Sequence, residues 1–346
     1  MFPKFFKSAL SLMMAIAFMP IVAAETFAAN HATVIMYHRF GEPNLPSTNT
    51  TIEQFEAHLE ELANGPYTVM PLAEITDRII NGEPLPDRAV AITVDDAFIS
   101  FYDEAWPRLK SYGFPVTVFV ATQSIDRGLK GYASWDQLRE LQAEGVAIGS
   151  QSNTHPHMHR IDLDEARKEI EVSNNRFIEE LGIKPTLFAY PYGEYTPQIR
   201  DLMQEMGFIA AFGQNSGVMH RSQNHFEFPL FAFNENYGDL SRLKLAINAL
   251  PIPAVDFSPE SMVLKENPPL YGFTVTEDIG PLNRIACFAS RMGKVDRVVL
   301  GRRVEVRLPS AMTGHRARIN CTMPYFVNGK ETGRWRWLGR QWLPQK

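Results

Sequence analysis

The feature that most constrains the fold is a regular alternation of short apolar runs and amphipathic segments between residues 33 and 212. Runs such as AVAITV (89–94) and VTVFVAT (116–122) are rich in β-branched residues and have almost no polar face. Strands of this kind are buried on both sides, which is typical of parallel sheets covered by helices. The amphipathic segments between the runs are predicted helices. We therefore predict an α/β fold whose parallel strands can close into a barrel.

The pattern changes near residue 250. Prolines cluster between residues 251 and 269, and the chain beyond them alternates apolar and polar residues with turns between the runs. This predicts a linker over 241–268 and a small antiparallel β-sandwich over 269–346. The two cysteines, Cys287 and Cys321, lie on separate predicted strands of this module. We expect a disulfide between them in an exported protein, with two buried thiols as the alternative.

The first 24 residues have the layout of a secretory signal peptide. Lys4 and Lys7 precede an apolar run over 9–22, and small residues follow it. The run is short for a membrane span, so we expect export to the periplasm or the extracellular space and no stable membrane insertion after cleavage. An uncleaved N-terminal anchor is the alternative. The formal net charge of −5 argues against nucleic acid as a partner.

Chemically active residues follow several predicted strands, where active sites of parallel α/β folds lie. Asp95 and Asp96 end the strand at 89–94. Two adjacent carboxylates at a buried strand end are costly unless they share a cation or a proton. Because neighbouring strand residues point to opposite sides, we expect one to bind a metal and the other to act as a base. Asp96 as the N-cap of the next helix is the simpler alternative.

Three further strand ends carry candidate residues. The loop SQSNTHPHMH (150–159) contains Gln151 and three histidines, and imidazole is the commonest zinc ligand in proteins. The turn FAYPYGEY (188–195) follows another buried strand, and backbone N–H groups in such a turn can bind an oxyanion. His38 ends the first strand. A solvated loop, an ordinary turn and a hydrogen-bonded histidine are the respective alternatives.

Together the three motifs TVDDA (93–97), SQSNTHPHM (150–158) and FAYPYGEY resemble those of the NodB-homology polysaccharide deacetylases, carbohydrate esterase family four. The resemblance covers roughly 33–215, and we place the domain at 30–240. It implies an irregular (β/α)7 barrel and a divalent metal ion, by default zinc. It also implies the roles of the site residues: Asp95 as base, Asp96 and His155 on the metal, and the Tyr192 N–H at the oxyanion.

Two positions depart from the family's motifs. Gln151 stands where the family has its first metal histidine, and an amide oxygen is a weaker zinc ligand than imidazole. His157 or His159 would then have to complete the set. Ala189 replaces the arginine that orients the base. The acid is not identified by a motif, and His38 is better placed than His220 or His225. We assign substrate contacts to Tyr190, Pro191 and Trp135.

These features predict a metal-dependent hydrolase that removes N- or O-acetyl groups from an envelope or extracellular polysaccharide. One alternative is a degenerate glycan-binding protein, for which Gln151 and Ala189 are the argument. Another is an amidase that acts on a small amide or cyclic imide. The tryptophans of RWRWLGRQW (334–342) could stack on sugars, but aromatic residues at this spacing more often fill a sandwich core.

Overall fold

The computed structural model describes Met1 and residues 28–344. The predicted signal peptide therefore lies outside the described residues, apart from Met1. Among the described residues, no helix is long and apolar enough to cross a membrane.

The first part of the chain alternates strands and helices, as the sequence predicts. Its strands are β1 (His31–Tyr37), β2 (Arg39–Phe40), β3 (Asn49–Thr50), β4 (Thr68–Val69), β5 (Ala89–Asp95), β6 (Val116–Val120), β7 (Ala147–Ser150), β8 (Leu187–Ala189), β9 (Ala210–Phe212), β10 (Met219–His220) and β11 (Phe231–Ala232). Its helices are α1 (Ile52–Asn64), α2 (Leu72–Asn81), α3 (Trp106–Tyr112), α4 (Thr122–Asp126), α5 (Trp135–Ala143), α6 (Leu163–Leu181), α7 (Pro197–Glu205) and α8 (Leu240–Ile247).

The strands form a curled, largely parallel sheet in the order β10-β1-β5-β6-β7-β8-β9. The segment 228–232 connects β9 with β1. Phe228 forms a backbone bridge with Phe212 of β9, and Phe231 of β11 pairs with Ile35 of β1. The predicted α/β fold with a barrel of parallel strands is therefore confirmed, and the barrel has the form of a curled sheet.

Local sequence signals set where the helices begin. Thr51 and Gln54 form a reciprocal capping box at the start of α1, which the sequence pattern predicts. Asp162 accepts a hydrogen bond from the Glu165 backbone N–H at the start of α6. Inside the barrel, Gly149 leaves room for Phe119, since a Cβ at this position would lie 2.4 Å from the phenyl ring.

The C-terminal part is an additional β module, as predicted, and its strands form a second curled, largely antiparallel sheet. Its strands are β12 (Leu250–Pro251), β13 (Ala254–Ser258), β14 (Val263–Leu264), β15 (Tyr271–Val275), β16 (Ala286–Ala289), β17 (Gly293–Leu300), β18 (Arg303–Arg307), β19 (Ala317–Val327) and β20 (Lys330–Pro344). They lie in the order β12-β20-β19-β16-β17-β18-β15-β13, with β14 also on β20. The predicted linker 241–268 is not extended chain, because it holds most of α8 and the first three of these strands.

The long hairpin β19–β20 packs against the barrel. Leu338 forms a backbone bridge with Gly217, and the Trp337 ring meets that of Phe231 at 5.5 Å between centroids. Arg334 pairs with Asp87 of the barrel at 3.0 Å. Trp342 is fully buried inside the second sheet, so it belongs to the core. The hairpin thus packs along one side of the barrel.

Candidate active site

The structure brings the predicted chemistry to one cleft. His38, Asp96, His155 and Tyr192 line a cavity of about 490 Å³ at the carboxyl ends of the parallel strands, and Asp95 lies at the end of β5 beneath it. This is where the strand-end rule places the active groups of parallel α/β folds. Arg318, Asn320 and Trp337 of the hairpin β19–β20 line the same cleft.

The backbone turns sharply after β5. Asp95 still belongs to the strand, whereas Asp96 and Ala97 have φ values of 74° and 51°. Positive φ is costly for residues with a Cβ, so this conformation is held by its surroundings. The Asp96 N–H donates to the Phe119 carbonyl at 3.0 Å. Asp95 contacts Gln214 whereas Asp96 contacts His155, so the two neighbouring carboxylates have different partners.

Asp95 has the environment of a base that exchanges protons. Its side chain is almost completely buried, with 1% of its surface exposed. Burial raises the pKa of Asp95 well above its ordinary value, and the nearby Asp96 carboxylate raises it further. The Gln214 amide donates to Asp95 Oδ2 at 3.3 Å, which favours the ionised form. The Gln151 side chain lowers the pKa of Asp95 in the same way, so two amide side chains, Gln214 and Gln151, face this carboxylate.

Asp96 and His155 are spaced as two ligands of one ion. Their Oδ1 and Nε2 atoms lie 3.4 Å apart. Two atoms at about 2.0–2.1 Å from a tetrahedral zinc ion would be separated by roughly this distance. Burial lowers the pKa of His155, although Asp96 acts in the opposite direction, so a neutral imidazole is favoured. Neutral imidazole is the form that binds metals.

Gln151 is the third member of the predicted set. Its side chain is fully buried, and neither its amide oxygen nor its amide nitrogen has a hydrogen-bond partner among the described residues. An unpaired buried amide is costly, and a ligand for its oxygen would offset that cost. Asp96 and His155 thus fit two ligands of a divalent ion, and the buried Gln151 side chain, which also lies close enough to Asp95 to lower the pKa of that carboxyl, is the candidate for a third, weak ligand.

A second group of donors lies beside the first. Nδ1 of His157 and Nδ1 of His159 lie 2.6 Å and 3.0 Å from Oε2 of Glu194, and the three potential ligand atoms lie within 4.8 Å of one another. Burial would raise the pKa of Glu194, but the hydrogen bonds from the two histidines outweigh it and hold that pKa below its ordinary value. The group could hold a metal ion or simply fix the loop.

The turn after β8 carries Tyr192 with φ 59°. His157 stacks on the Tyr192 ring at 4.3 Å between centroids, and His155 meets it edge-on at 4.5 Å. The Tyr192 carbonyl accepts hydrogen bonds from Arg316 at 3.2 Å and from Gln341 at 3.4 Å. Both donors belong to the C-terminal module, which therefore holds this turn in place.

Several predicted residues lie elsewhere. Tyr190 is fully buried, stacks on Tyr195 and donates its hydroxyl hydrogen bond to the Phe226 carbonyl at 3.0 Å. It is a core residue, and the adjacent Pro191 is buried as well. Trp135 packs edge-on against Phe177 and does not line the cleft.

The three candidates for the catalytic acid, His38, His220 and His225, lie in different parts of the structure. His220 pairs with His31 at the amino end of β1, the opposite edge of the sheet from Asp95, and His225 packs near Phe228 outside the cleft. His38 lies in the cleft, and burial together with Arg39 and Arg316 lowers its pKa to about 4.

Gln214 and the cleft arginines are not identified by the sequence motifs. Gln214 follows β9, so the strand-end rule could have selected it. Arg316 and Arg318 reach the cleft from β19 or its edge, and no motif indicates how the second sheet meets the first.

Comparisons with known proteins agree with this geometry. The family model for polysaccharide deacetylases matches residues 82–211, the segment that contains all three motifs. The barrel is a polysaccharide deacetylase domain. The chain is similar to the Bacillus subtilis (strain 168) protein YxkH, by name a polysaccharide deacetylase, with 25% identity over 193 residues, 56% of this chain and 68% of that protein.

One further relative and one solved structure are similar to this chain. The poly-beta-1,6-N-acetyl-D-glucosamine N-deacetylase of Escherichia coli (strain K12) is 26% identical over 219 residues, 51% of this chain but only 32% of that longer protein. The Streptococcus pyogenes deacetylase PplD in complex with acetate has the same fold, with a TM-score of 0.59 and 20% identity over 63% of this chain and 98% of that one. The expected class of enzyme, a polysaccharide deacetylase, is confirmed.

Proposed function

We propose that this deacetylase hydrolyses acetyl groups on an extracellular or envelope polysaccharide with Asp95 as the general base. The observation that carries the proposal is the buried, Gln214-bound Asp95 directly beside the Asp96–His155 pair, at the mouth of a cleft. N-deacetylation is favoured by the similarity to the Escherichia coli enzyme, whose name specifies an N-acetylglucosamine polymer.

In this proposal Asp95, Tyr192 and His38 have different catalytic roles. Asp95, with its raised pKa, takes the proton from the attacking water and can later return it to the leaving amine or alkoxide. The Tyr192 N–H faces the developing oxyanion in a turn that Arg316 and Gln341 hold in place. His38, whose low pKa keeps it neutral, can donate or accept a hydrogen bond at the cleft.

A divalent ion, with zinc as the default, would be held by Asp96, His155 and Gln151. When bound, such an ion polarises the acetyl carbonyl and lowers the pKa of water. The group of His157, His159 and Glu194 is the alternative place for an ion. The two sets share no ligand, so substitution separates them: Asp96→Asn and Glu194→Gln should remove metal from different sites.

The experiment that tests the function is acetate release from a panel of acetylated glycans, with the metal-free protein and with zinc, manganese or cobalt restored. We expect release from at least one polymer, dependence on added metal, and loss of release in Asp95→Asn. Tight glycan binding without acetate release, unchanged by a chelator, would instead indicate a glycan-binding protein. Release from small amides or imides alone would indicate an amidase.

A further inference from the structure

The cleft beside the deacetylase site contains three arginines. Arg316 and Arg318 come from the C-terminal module, and Arg242 comes from α8. They line the same cavity as Asp96 and His155. Arg316 and Arg242 each lower the pKa of Arg318, after the larger effect of burial, which shows that the three charges lie close together. A concentration of positive charge therefore lies next to the reacting groups.

These charges are not neutralised by the described residues. Arg316 donates to the Tyr192 carbonyl and to Gln214 Oε1, and Arg318 donates to Gln341 Oε1 at 3.2 Å. Arg242 has one long hydrogen bond, 3.5 Å to the Ala232 carbonyl, and its Nε is buried without a hydrogen-bond partner among the described residues. Its other contacts are with the rings of Phe233 and Tyr237. None of the three forms an ion pair with a carboxylate within residues 28–344. Half-buried, unpaired guanidinium groups are costly, and an anion would offset this cost.

Other arginines of the C-terminal module make contacts outside the cleft. Arg334 pairs with Asp87 at 3.0 Å, Arg340 pairs with Glu227 at 3.3 Å, and Arg336 donates to the Pro251 carbonyl at 2.9 Å. These contacts join the module to the barrel or to its own first strand. Arg336 also lacks a carboxylate partner, so the cleft cluster is distinguished by its place: three such guanidinium groups line one cavity beside Asp96 and His155.

The surroundings of the cluster suit a sugar. Tyr237 is 58% exposed and lies under the Arg242 guanidinium at 5.3 Å. Trp337 lines the cleft, and its indole N–H donates to Asn320, which lies in the cavity as well. Aromatic faces beside polar side chains are typical of carbohydrate sites, and the guanidinium fork matches carboxylate and phosphate oxygens.

We propose that the cleft binds an acidic glycan, with an anionic group of the substrate held by Arg242, Arg316 and Arg318 while a nearby acetyl group meets Asp95. The anionic group is a carboxylate or a phosphate ester, since guanidinium recognises both. This inference rests on the proposed function and specifies the class of its substrate. The C-terminal module is thereby part of the substrate site.

The test uses matched pairs of acetylated oligosaccharides that differ only in charge. One pair is the hyaluronan hexasaccharide and its carboxyl methyl ester. The other is 6-phosphorylated N-acetylchitohexaose and unmodified N-acetylchitohexaose. Dissociation constants are measured by calorimetry on the full chain at low ionic strength. We expect the charged member of at least one pair to bind tenfold or more tightly, and the pair that responds identifies the anionic group.

The variants Arg242→Gln and Arg318→Gln should each weaken binding of that charged member by roughly tenfold to a hundredfold, because each loses a charge-assisted contact. Binding of the neutral member should change little. Arg307→Gln is the matched control, since Arg307 is exposed on β18 outside the cleft and carries the same charge. It should keep the preference of the wild type.

Equal binding of the charged and neutral members of both pairs, or no binding of either charged member, would overturn the proposal. So would a preference that survives in both cleft variants. Acetate release from the same oligosaccharides separates this result from the proposed function. Acetate release without charge preference would support the deacetylase activity and contradict the anion site. Charge-selective binding without acetate release from any glycan would support the anion site and contradict the deacetylase activity.

Discussion

Backbone strain is concentrated at the residues that carry the chemistry. Within the described part of the chain, nine non-glycine residues have positive φ, and five of them are Asp96, Ala97, Ser152, His155 and Tyr192. Such conformations cost about 1–3 kcal/mol each and persist where the surroundings over-determine them. All five lie in the turns that follow β5, β7 and β8. The strain aims the carboxylate, the imidazole and the Tyr192 turn at one cleft.

Replacement of Asp95 by Asn should reduce turnover by at least about 100-fold, because general-base catalysis contributes roughly 10²–10⁴. Metal content should stay near that of the wild type, since Asp96 and His155 are unchanged. Removal of a buried charge should not destabilise the fold. The measurement is kcat for acetate release together with metal analysis, and the exposed Asp103→Asn is the control. Activity within tenfold of the wild type would exclude Asp95 as the base.

The variant Gln151→His tests whether residue 151 faces the proposed metal site. It restores a histidine four residues before His155, and imidazole binds zinc better than an amide oxygen does. We expect zinc affinity, measured by competition with a chelator, to rise by about tenfold or more, a change of the size seen when metal-site partners are altered. Gln142→His on α5 adds the same residue away from the cleft and should leave the affinity unchanged. Equal affinity for the wild type and Gln151→His would mean that residue 151 does not face the metal.

At the scale of the elements, the sequence predicts the structure well wherever local signals within one segment are sufficient to specify a strand or a helix. The apolar run before Asp95 and the capping box at Thr51 both predict the observed β5 and α1. The prolines of the range 241–268 predict a linker, yet this range contains paired strands. Pro251 can lie in β12 because this two-residue strand pairs only with β20. Pairing with a distant strand outweighs the local signal.

The disulfide joins two neighbouring strands of the second sheet. Cys287 of β16 pairs directly with Cys321 of β19 in the strand register, both residues are fully buried, and the bond links them across 34 residues. A crosslink around a loop of this length contributes about 3–4 kcal/mol. We expect denaturant unfolding of the reduced protein to show a loss of this order. Thiol labelling of native, unreduced protein should find no free cysteine, and two labelled thiols would contradict the bond.

A buried histidine pair lies where β1 meets β10. His31 and His220 are register partners. Burial lowers the pKa of each to about 4, and the nearby arginines Arg334 and Arg221 act in the same direction. Glu277 lies 3.5 Å from His220 Nε2, but it does not reverse the effect of burial.

The sign of the pH effect follows from these pKa values. In the unfolded chain a histidine binds a proton near pH 6.5, whereas the folded His220 binds one only near pH 4. The free energy of unfolding should therefore fall as the pH drops from about 6.5 to 4. In His220→Gln the loss between pH 7 and pH 5 should be smaller by about 1–2 kcal/mol. Urea unfolding at the two pH values measures this, with the exposed His315→Gln as control; identical slopes for His220→Gln and the wild type would refute it.

At the scale of the whole molecule, the deacetylase barrel and the C-terminal sheet share the active cleft. The three motifs predict which barrel residues meet, because each lies at a strand end. They do not predict that Arg316 donates to the Tyr192 carbonyl, since this hydrogen bond joins residues 124 positions apart. The motifs show only that Ala189 stands where the family has an arginine. The relative placement of two sheets depends on surface complementarity, which no short-range pattern encodes.

That placement depends on a glycine at the contact between the two sheets. A Cβ on Gly339 of β20 would lie 2.0 Å from the Ser216 carbonyl oxygen, and the Asn215 amide donates to the Gly339 carbonyl at 3.1 Å. Gly339→Ala should therefore push the hairpin away from the barrel, with a cost of about 1–3 kcal/mol, typical of overpacking. Arg316 would move with the hairpin, so the Tyr192 turn would lose one of its supports. We expect a lower unfolding midpoint, faster proteolytic separation of the two parts and a lower kcat for acetate release.

The control for this change is Gly301→Ala in the same sheet. Gly301 has φ 62°, and no atom lies within 4 Å of the place that an alanine Cβ would take, so alanine there brings backbone strain without a clash. It should cost about 1 kcal/mol, leave the two parts joined and leave kcat unchanged. If Gly339→Ala behaves like Gly301→Ala in proteolysis and in acetate release, the contact between hairpin and barrel does not support the site. If only Gly339→Ala loses activity, the C-terminal sheet positions the Tyr192 turn of the deacetylase.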